Sequence, residues 1–164
     1  MTSENARARD ASTGARLLSA WHRLRDRPGG RWLFSRLVGR MAPYTGTLKA
    51  QVRELEPGRA VVELRDRRGV RNHLRSVHAI ALANLGELAS GLAASAAMPA
   101  GVRGIPVSIT IDYLQKARGT LTATGTAELP LVTEPTSVVV HAAICDATGT
   151  TVTAVRVTWT LERV

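Results

Sequence analysis

The spacing of apolar residues changes along this chain of 164 residues, and each change marks a new kind of element. Up to Met41 it is helical. Ala15, Leu17, Leu18, Trp21 and Leu24 form one run that Pro28, Gly29 and Gly30 stop; Trp32, Leu33, Phe34, Leu37, Val38 and Met41 form a second that Pro43 closes. After Thr45 and Gly46 the period becomes two. Leu48, Ala50 and Val52 alternate with Lys49, Gln51 and Arg53; Pro57-Gly58 makes a turn; Ala60, Val62 and Leu64 alternate with Val61, Glu63 and Arg65. That pattern predicts a hairpin. A polar loop from Asp66 to Gly69 leads into a long apolar helix, with Ser76 as its expected N-cap and Pro99 and Gly101 beyond its end.

Four more alternating runs follow: Val107 to Tyr113, Leu121 to Ala127, Val138 to Ile144 and Val155 to Leu161. Short turns at Ala117-Arg118-Gly119, Glu134-Pro135 and Asp146-Ala147-Thr148-Gly149 suit antiparallel neighbours. The order predicts an α+β domain in which a curved antiparallel sheet of about six strands wraps one apolar helix. The helices before residue 44 are expected to pack on it, and the polar residues 1–12 to fray.

Within the helical segment NHLRSVHAIALANLGELASGLAAS, residues 72–95, Glu87 stands in a run of Ala, Leu and Gly. A buried ionised carboxylate is costly unless it is paired or used. At 3.6 residues per turn, Asn84, Glu87, Gly91 and Ser95 share a stripe, while Leu82, Leu85, Ala89 and Leu92 cover much of the rest. The pattern is a core helix with a polar slot. His78 precedes Glu87 by nine residues, half a turn out of phase. The two meet only if His78 marks the helix start or if they come from different subunits.

Length and composition bound what such a domain does. The chain is long enough for one core. Cys145 is single, so no disulfide forms within the chain, and no ligand cluster of zinc type is present. With no signal-like segment and no run near the roughly 20 apolar residues of a membrane span, a reducing cytoplasmic setting is expected. The net charge of +9 and pI near 11.3 raise the question of nucleic acid. The charge is scattered, however, nearly all of it Arg with Lys only at 49 and 116, and aromatic residues amount to 4%, too few for a base-stacking surface. No nucleic-acid partner is expected. A narrower role remains for some of these Arg, the phosphates of a carried cofactor.

Several spacings then converge. Asn72 lies six residues before His78, Glu87 nine after it and Gly91 four beyond the acid. Downstream, Gly104-Ile-Pro-Val-Ser-Ile-Thr-Ile-Asp-Tyr-Leu is followed by Ala117 and Gly119. In this order, residues 44 to 162 resemble the hotdog fold, and within it the acyl-CoA thioesterases of the phenylacetyl-CoA type and their uncharacterised thioesterase-like branch, a domain of unknown function. The resemblance divides the chain into an N-terminal helical extension, 1–43, and a hotdog domain, 44–164. The sequence departs from the family at His78-Ala79-Ile80, where relatives have His-Gly-Gly; Ala79 still offers a backbone N–H, but a methyl group and a β-branched residue narrow the approach of a carbonyl.

What the resemblance implies is hydrolysis of an acyl-CoA thioester to free acid and CoA. The Ala79 N–H, helped by the helix dipole, would hold the tetrahedral oxyanion. Glu87 would act as general base toward water or as nucleophile through an anhydride. Asn72 would position the water and His78 the thioester carbonyl. Relatives assemble this site across a dimer interface, so a homodimer or homotetramer is implied, which resolves the phase conflict of His78 and Glu87. Arg71, Arg75, Arg103, Lys116 and Arg118 flank the bordering loops and suit the phosphates of coenzyme A, which enters as part of the substrate. Neither a metal nor a separate cofactor is called for. The alternative is a non-catalytic hotdog module that binds acyl-CoA or another acyl ligand. Residue by residue, Asn72 is equally suited to closing the loop as an Asx turn, and His78 to an ordinary helix start. His22, His73 and His141 read as surface residues, and Asp112 and Asp146 as strand-edge and turn residues.

Overall fold

Period-two segments must pair with one another to satisfy their backbone groups, and here six of them do so in one antiparallel sheet. In the computed structural model, which describes residues 13–164, they are β1 (Gln51–Glu56), β2 (Arg59–Leu64), β3 (Val102–Tyr113), β4 (Leu121–Thr126), β5 (Thr136–Cys145) and β6 (Thr151–Arg163). Residues 1–12, expected to fray, lie outside the described residues. The spatial order is β1-β2-β4-β5-β6-β3, with every neighbouring pair antiparallel. The helices are α1 (Thr13–Leu24), α2 (Gly30–Met41), the short α3 (Pro43–Gly46) and α4 (Ala79–Ala97). The expected α+β architecture, one long helix against a curved sheet with N-terminal helices outside it, is the one observed.

The sheet takes α4 at very close range because the contact positions are small. A Cβ on Gly125 of β4 would lie 2.2 Å from the Ala89 carbonyl oxygen, and one on Gly86 of α4 would lie 2.4 Å from Val155 Cγ2 of β6. The turn at Pro57-Gly58 also docks on the helix, Gly58 N–H donating to the Ala93 carbonyl at 3.3 Å. Around this crossing Leu55, Val62, Leu64, Leu85, Leu121, Val140, Ile144, Val157 and Leu161 are buried. Trp21 of α1 and Phe34 of α2 meet edge to face at 5.1 Å and belong to the same core, which therefore runs across residue 43. By length and hydropathy α4 alone among the described helices resembles a membrane span, yet 56% of its apolar window is buried inside this fold.

The helix start differs from expectation. His78, not Ser76, is the N-cap: its backbone is extended and its Nδ1 accepts from Ile80 N–H at 3.1 Å. Ser76 is drawn into the preceding loop instead, where its N–H donates to Asn72 Oδ1 and its carbonyl accepts from Asn72 N–H.

The alternation in β3 serves this chain's core only in part: Val102 and Ile111 pack against it. β3 ends the sheet, bonded to β6 only, and Ile105, Val107 (61% exposed) and Ile109 (46%) stay uncovered. Pro106, which has no N–H to give, sits beside a register shift in that strand, as suits an edge.

Candidate functional site

Three segments are tied together at the N-terminus of α4. The loop before it closes on Asn72, whose Oδ1 accepts from Leu74 N–H at 3.0 Å and Ser76 N–H at 3.1 Å. Its continuation is pinned on both sides, Val77 N–H donating to the Ala117 carbonyl and His78 N–H to the Val70 carbonyl, each at 2.8 Å. Asp66 fastens the turn after β3 to this loop: one oxygen meets Arg71 Nε at 2.6 Å and the other accepts from Gly119 N–H at 3.1 Å. Its side chain is 11% exposed, and the bond from Arg71 holds its carboxyl below the usual range. Tyr113, at the end of β3, donates its hydroxyl to the Ala79 carbonyl at 3.1 Å.

This network leaves the helix start rigid and its first N–H available. His78 caps Ile80, and the Ala79 N–H has no protein partner among the described residues. An unsatisfied N–H at the positive end of a 19-residue helix is a natural seat for an oxyanion. Ile80 beside it is 53% exposed, an apolar residue facing open space.

Glu87 occupies the same helix two and a half turns on. It is half-buried, makes no ion pair or side-chain hydrogen bond among the described residues, and burial pushes its carboxyl above the usual carboxylate range. Nine residues at 1.5 Å each put it about 13 Å along the axis from His78 and on the opposite side. One chain therefore does not bring them together. Asn72, His78 and Ala79 form one group and Glu87 stands apart, as the phase argument requires. Asn72 performs the loop-closing role through its carbonyl oxygen, which leaves its amide NH₂ unengaged.

The cations divide in the same way. Arg71, Arg75, Lys116 and Arg118 border the helix start, although Arg71 is held by Asp66. Arg103 lies at the other end of β3, next to the C-terminal end of α4, paired with Glu162 at 2.5 Å. Asp112, read as a strand-edge residue, pairs with Arg156 at 3.1 Å.

Sequence reasoning passes over three features. Asp66 looks like loop filler, and nothing in its neighbourhood signals a bridge to Gly119. Trp159 reads as one more apolar strand position. A cleft of about 860 Å³ between α2, α3 and β1 is lined by Trp32, Arg36, Arg40, Lys49 and Arg65 and touches Leu88 of α4. None of the sequence-predicted site residues lines it. Among the described residues no group of His, Cys, Asp and Glu is placed to hold a metal ion.

A family model described as a domain of unknown function, DUF4442, matches residues 30–161. Among solved structures, a structural-genomics target, APC5556, is 32% identical and superposes with a TM-score of 0.78, covering 93% of this chain and 99% of that one. PA5026 of Pseudomonas aeruginosa, a protein of unknown function described as a probable thioesterase, is 17% identical, with a TM-score of 0.71 over 79% of this chain and 93% of its own. A mutant of the thioesterase SAV0944 of Staphylococcus aureus is 18% identical, with a TM-score of 0.64 over 73% and 98%. The last two likenesses are likenesses of fold. No curated protein matches the chain.

Proposed function

The chain belongs to the DUF4442 family and has the hotdog fold, and from that premise we propose that it is a thioester hydrolase acting on acyl-CoA. Coenzyme A is part of the substrate, and no separate cofactor takes part. One observation carries the reading: Glu87, a half-buried carboxylate with no partner among the described residues and a raised proton affinity, on the side of α4 that faces Trp159 of β6. A merely solvated surface acid would have water in place of that burial and no raised affinity for protons. The thioesterase descriptions of structural relatives support the same chemistry.

The site is completed by a second copy of the chain. Pairing of the free β3 edges would cover Ile105, Val107 and Ile109 and set Glu87 of one subunit against Ala79 of the other; a dimer of dimers is compatible with it. The thioester carbonyl then accepts from Ala79 N–H, and the helix dipole stabilises charge as it develops on that oxygen. Glu87 takes a proton from water as the water oxygen bonds to the carbonyl carbon. Collapse of the tetrahedral intermediate breaks the carbon–sulfur bond, and CoA leaves as thiolate and is reprotonated. Attack by Glu87 itself, through an anhydride, balances equally well. Asn72 offers its free NH₂ to the water. Arg75, Lys116 and Arg118 suit CoA phosphates. The lone thiol of Cys145 fits a reducing, cytoplasmic setting.

A second reading is favoured by one observation. Ala79 and Ile80 put a methyl group and an exposed branched side chain where relatives have glycines, and a site so narrowed binds acyl-CoA without turning it over.

The test is hydrolysis of short, medium, long and aromatic acyl-CoAs by the parent and by Glu87→Gln. Turnover falls by about 100-fold or more in the variant while substrate still binds. Stability moves the other way. A carboxyl whose affinity for protons is raised by folding contributes most below the ordinary Glu range and loses that contribution as pH rises through the raised value. Gln carries no such loss, so the variant melts at the same or a higher temperature than the parent at neutral pH, and the gap closes on acidification. Unchanged turnover in Glu87→Gln sinks the catalytic role; binding without hydrolysis by the parent selects the second reading.

A further inference from the structure

Trp159 contributes a buried donor with nothing to bond. It lies on the inward face of β6, is 7% exposed, and its indole Nε1 is fully buried with no hydrogen-bond partner among the described residues. A buried indole N–H ordinarily finds an acceptor. Two glycines leave room for the ring. A methyl group on Gly104 of β3 would lie 3.0 Å from Cε3, and one on Gly91 of α4 would lie 3.8 Å from Cζ2. Cζ2 adjoins the ring carbon that bears Nε1, so the N–H lies two bonds round the ring from the atom that faces Gly91. At the same point a methyl group would lie 3.6 Å from Glu87 Oε1. An acceptor without a donor and a donor without an acceptor thus border one small gap, kept open because residue 91 has no side chain.

We infer that Trp159 is a positioning residue for Glu87: a turn of the Glu87 side chain across this gap lets the indole N–H donate to one oxygen of the ionised carboxylate and leaves the other oxygen for the proton it must take. The inference rests on the reading of Glu87 as the working carboxylate. Other charges on the flanking elements do not fill this role. On β3 and β6, Arg103 pairs with Glu162 and Asp112 with Arg156, while β2, β4 and β5 bury small and aliphatic residues, among them Ala60, Val62, Ala123, Val140 and Ala142. A single neutral donor beside a desolvated carboxylate has two consequences. It offsets part of the cost of ionisation, and it fixes which oxygen faces outward.

The experiment reads the indole directly. In ¹⁵N-labelled protein the three Trp, at 21, 32 and 159, give separate indole N–H resonances, and the one lost in Trp159→Phe belongs to Trp159. That resonance is expected to shift as pH is taken from 4 to 9, and to stay fixed over the same range in Glu87→Gln. A resonance that is flat in the parent, or that titrates alike in both proteins, overturns the inference. Should Trp159→Phe fail to fold, comparison of the parent with Glu87→Gln still decides, because only one indole resonance is expected to lose its titration. The kinetic arm is separate. Trp159→Phe lowers kcat about tenfold with little change in KM and moves the acid limb of the pH profile upward; an unaltered profile counts against the inference. A protein that hydrolyses nothing but shows the coupled titration refutes the enzyme reading and keeps the contact.

Discussion

The two sides of α4 are built from opposite materials. Toward the sheet it presents Gly86, Ala89 and Ala93: a methyl group has no room at Gly86 against Val155 or at Gly125 against the Ala89 carbonyl, and the Ala93 carbonyl accepts from Gly58 N–H. On the other side lie Ile80, which is half exposed, Glu87, which is half-buried, and Gly91, where a methyl group would meet only ordinary contacts, with a strand of uncovered apolar residues nearby. The first side spends its composition on proximity and has no functional group to offer. The second tolerates exposure and an unpaired charge, both of which work against stability. Separation of holding from doing within one helix explains why the odd residue in an Ala-rich run is the informative one.

Adding the same methyl group to each side is the most severe way to test the contrast. Gly125→Ala forces a Cβ into the Ala89 carbonyl and is expected to cost more than about 3 kcal/mol, seen as a collapse of the denaturant midpoint or loss of folded protein. Gly91→Ala meets only ordinary contacts at 3.6 and 3.8 Å and removes a glycine from a helix interior, so its stability holds or rises by up to about 1 kcal/mol. Equal losses at both positions would erase the distinction.

A smaller effect separates assembly from folding. Val107→Lys with Ile109→Lys puts charge on the free edge strand at two residues that are 61% and 46% exposed. The proposed dimer should fall to monomers at micromolar concentration in light scattering, with thermal unfolding still cooperative. An unchanged mass would place the interface elsewhere. Smallest of all is the phosphate contact: Arg118→Ala or Lys116→Ala raises KM for acyl-CoA by about three- to tenfold with kcat nearly constant. Identical behaviour toward phosphate-free thioester analogues would remove these side chains from the site.

Much of this was legible in the sequence because periodicity reports burial, and burial shapes both the sheet and α4. Pro57-Gly58, the run from Leu82 to Leu92 and the strand from Val155 to Leu161 are read correctly for that reason. The helix start is less legible. Ser76 and His78 both suit a cap, and only the pairing of Ser76 with Asn72, four residues back, decides between them. Alternation in β3 looks like that in β6, since an apolar strand face is written alike whether its own chain covers it or not. Asp66 and Trp159 escape a sequence reading because their significance is a partner 53 residues away in one case and a missing partner in the other.

The strand order also imposes a sequence of events on a growing chain. β3 is made directly after α4, but its mate β6 comes last, with Tyr113 opposite Thr153 and Val102 opposite Arg163. At ordinary rates of synthesis the interval is on the order of several seconds, during which a twelve-residue apolar strand has neither edge engaged. A nascent chain stopped before residue 151 would keep that strand open for association with its own kind. The surface proposed for a productive union of two subunits is, for those seconds, also open to premature aggregation.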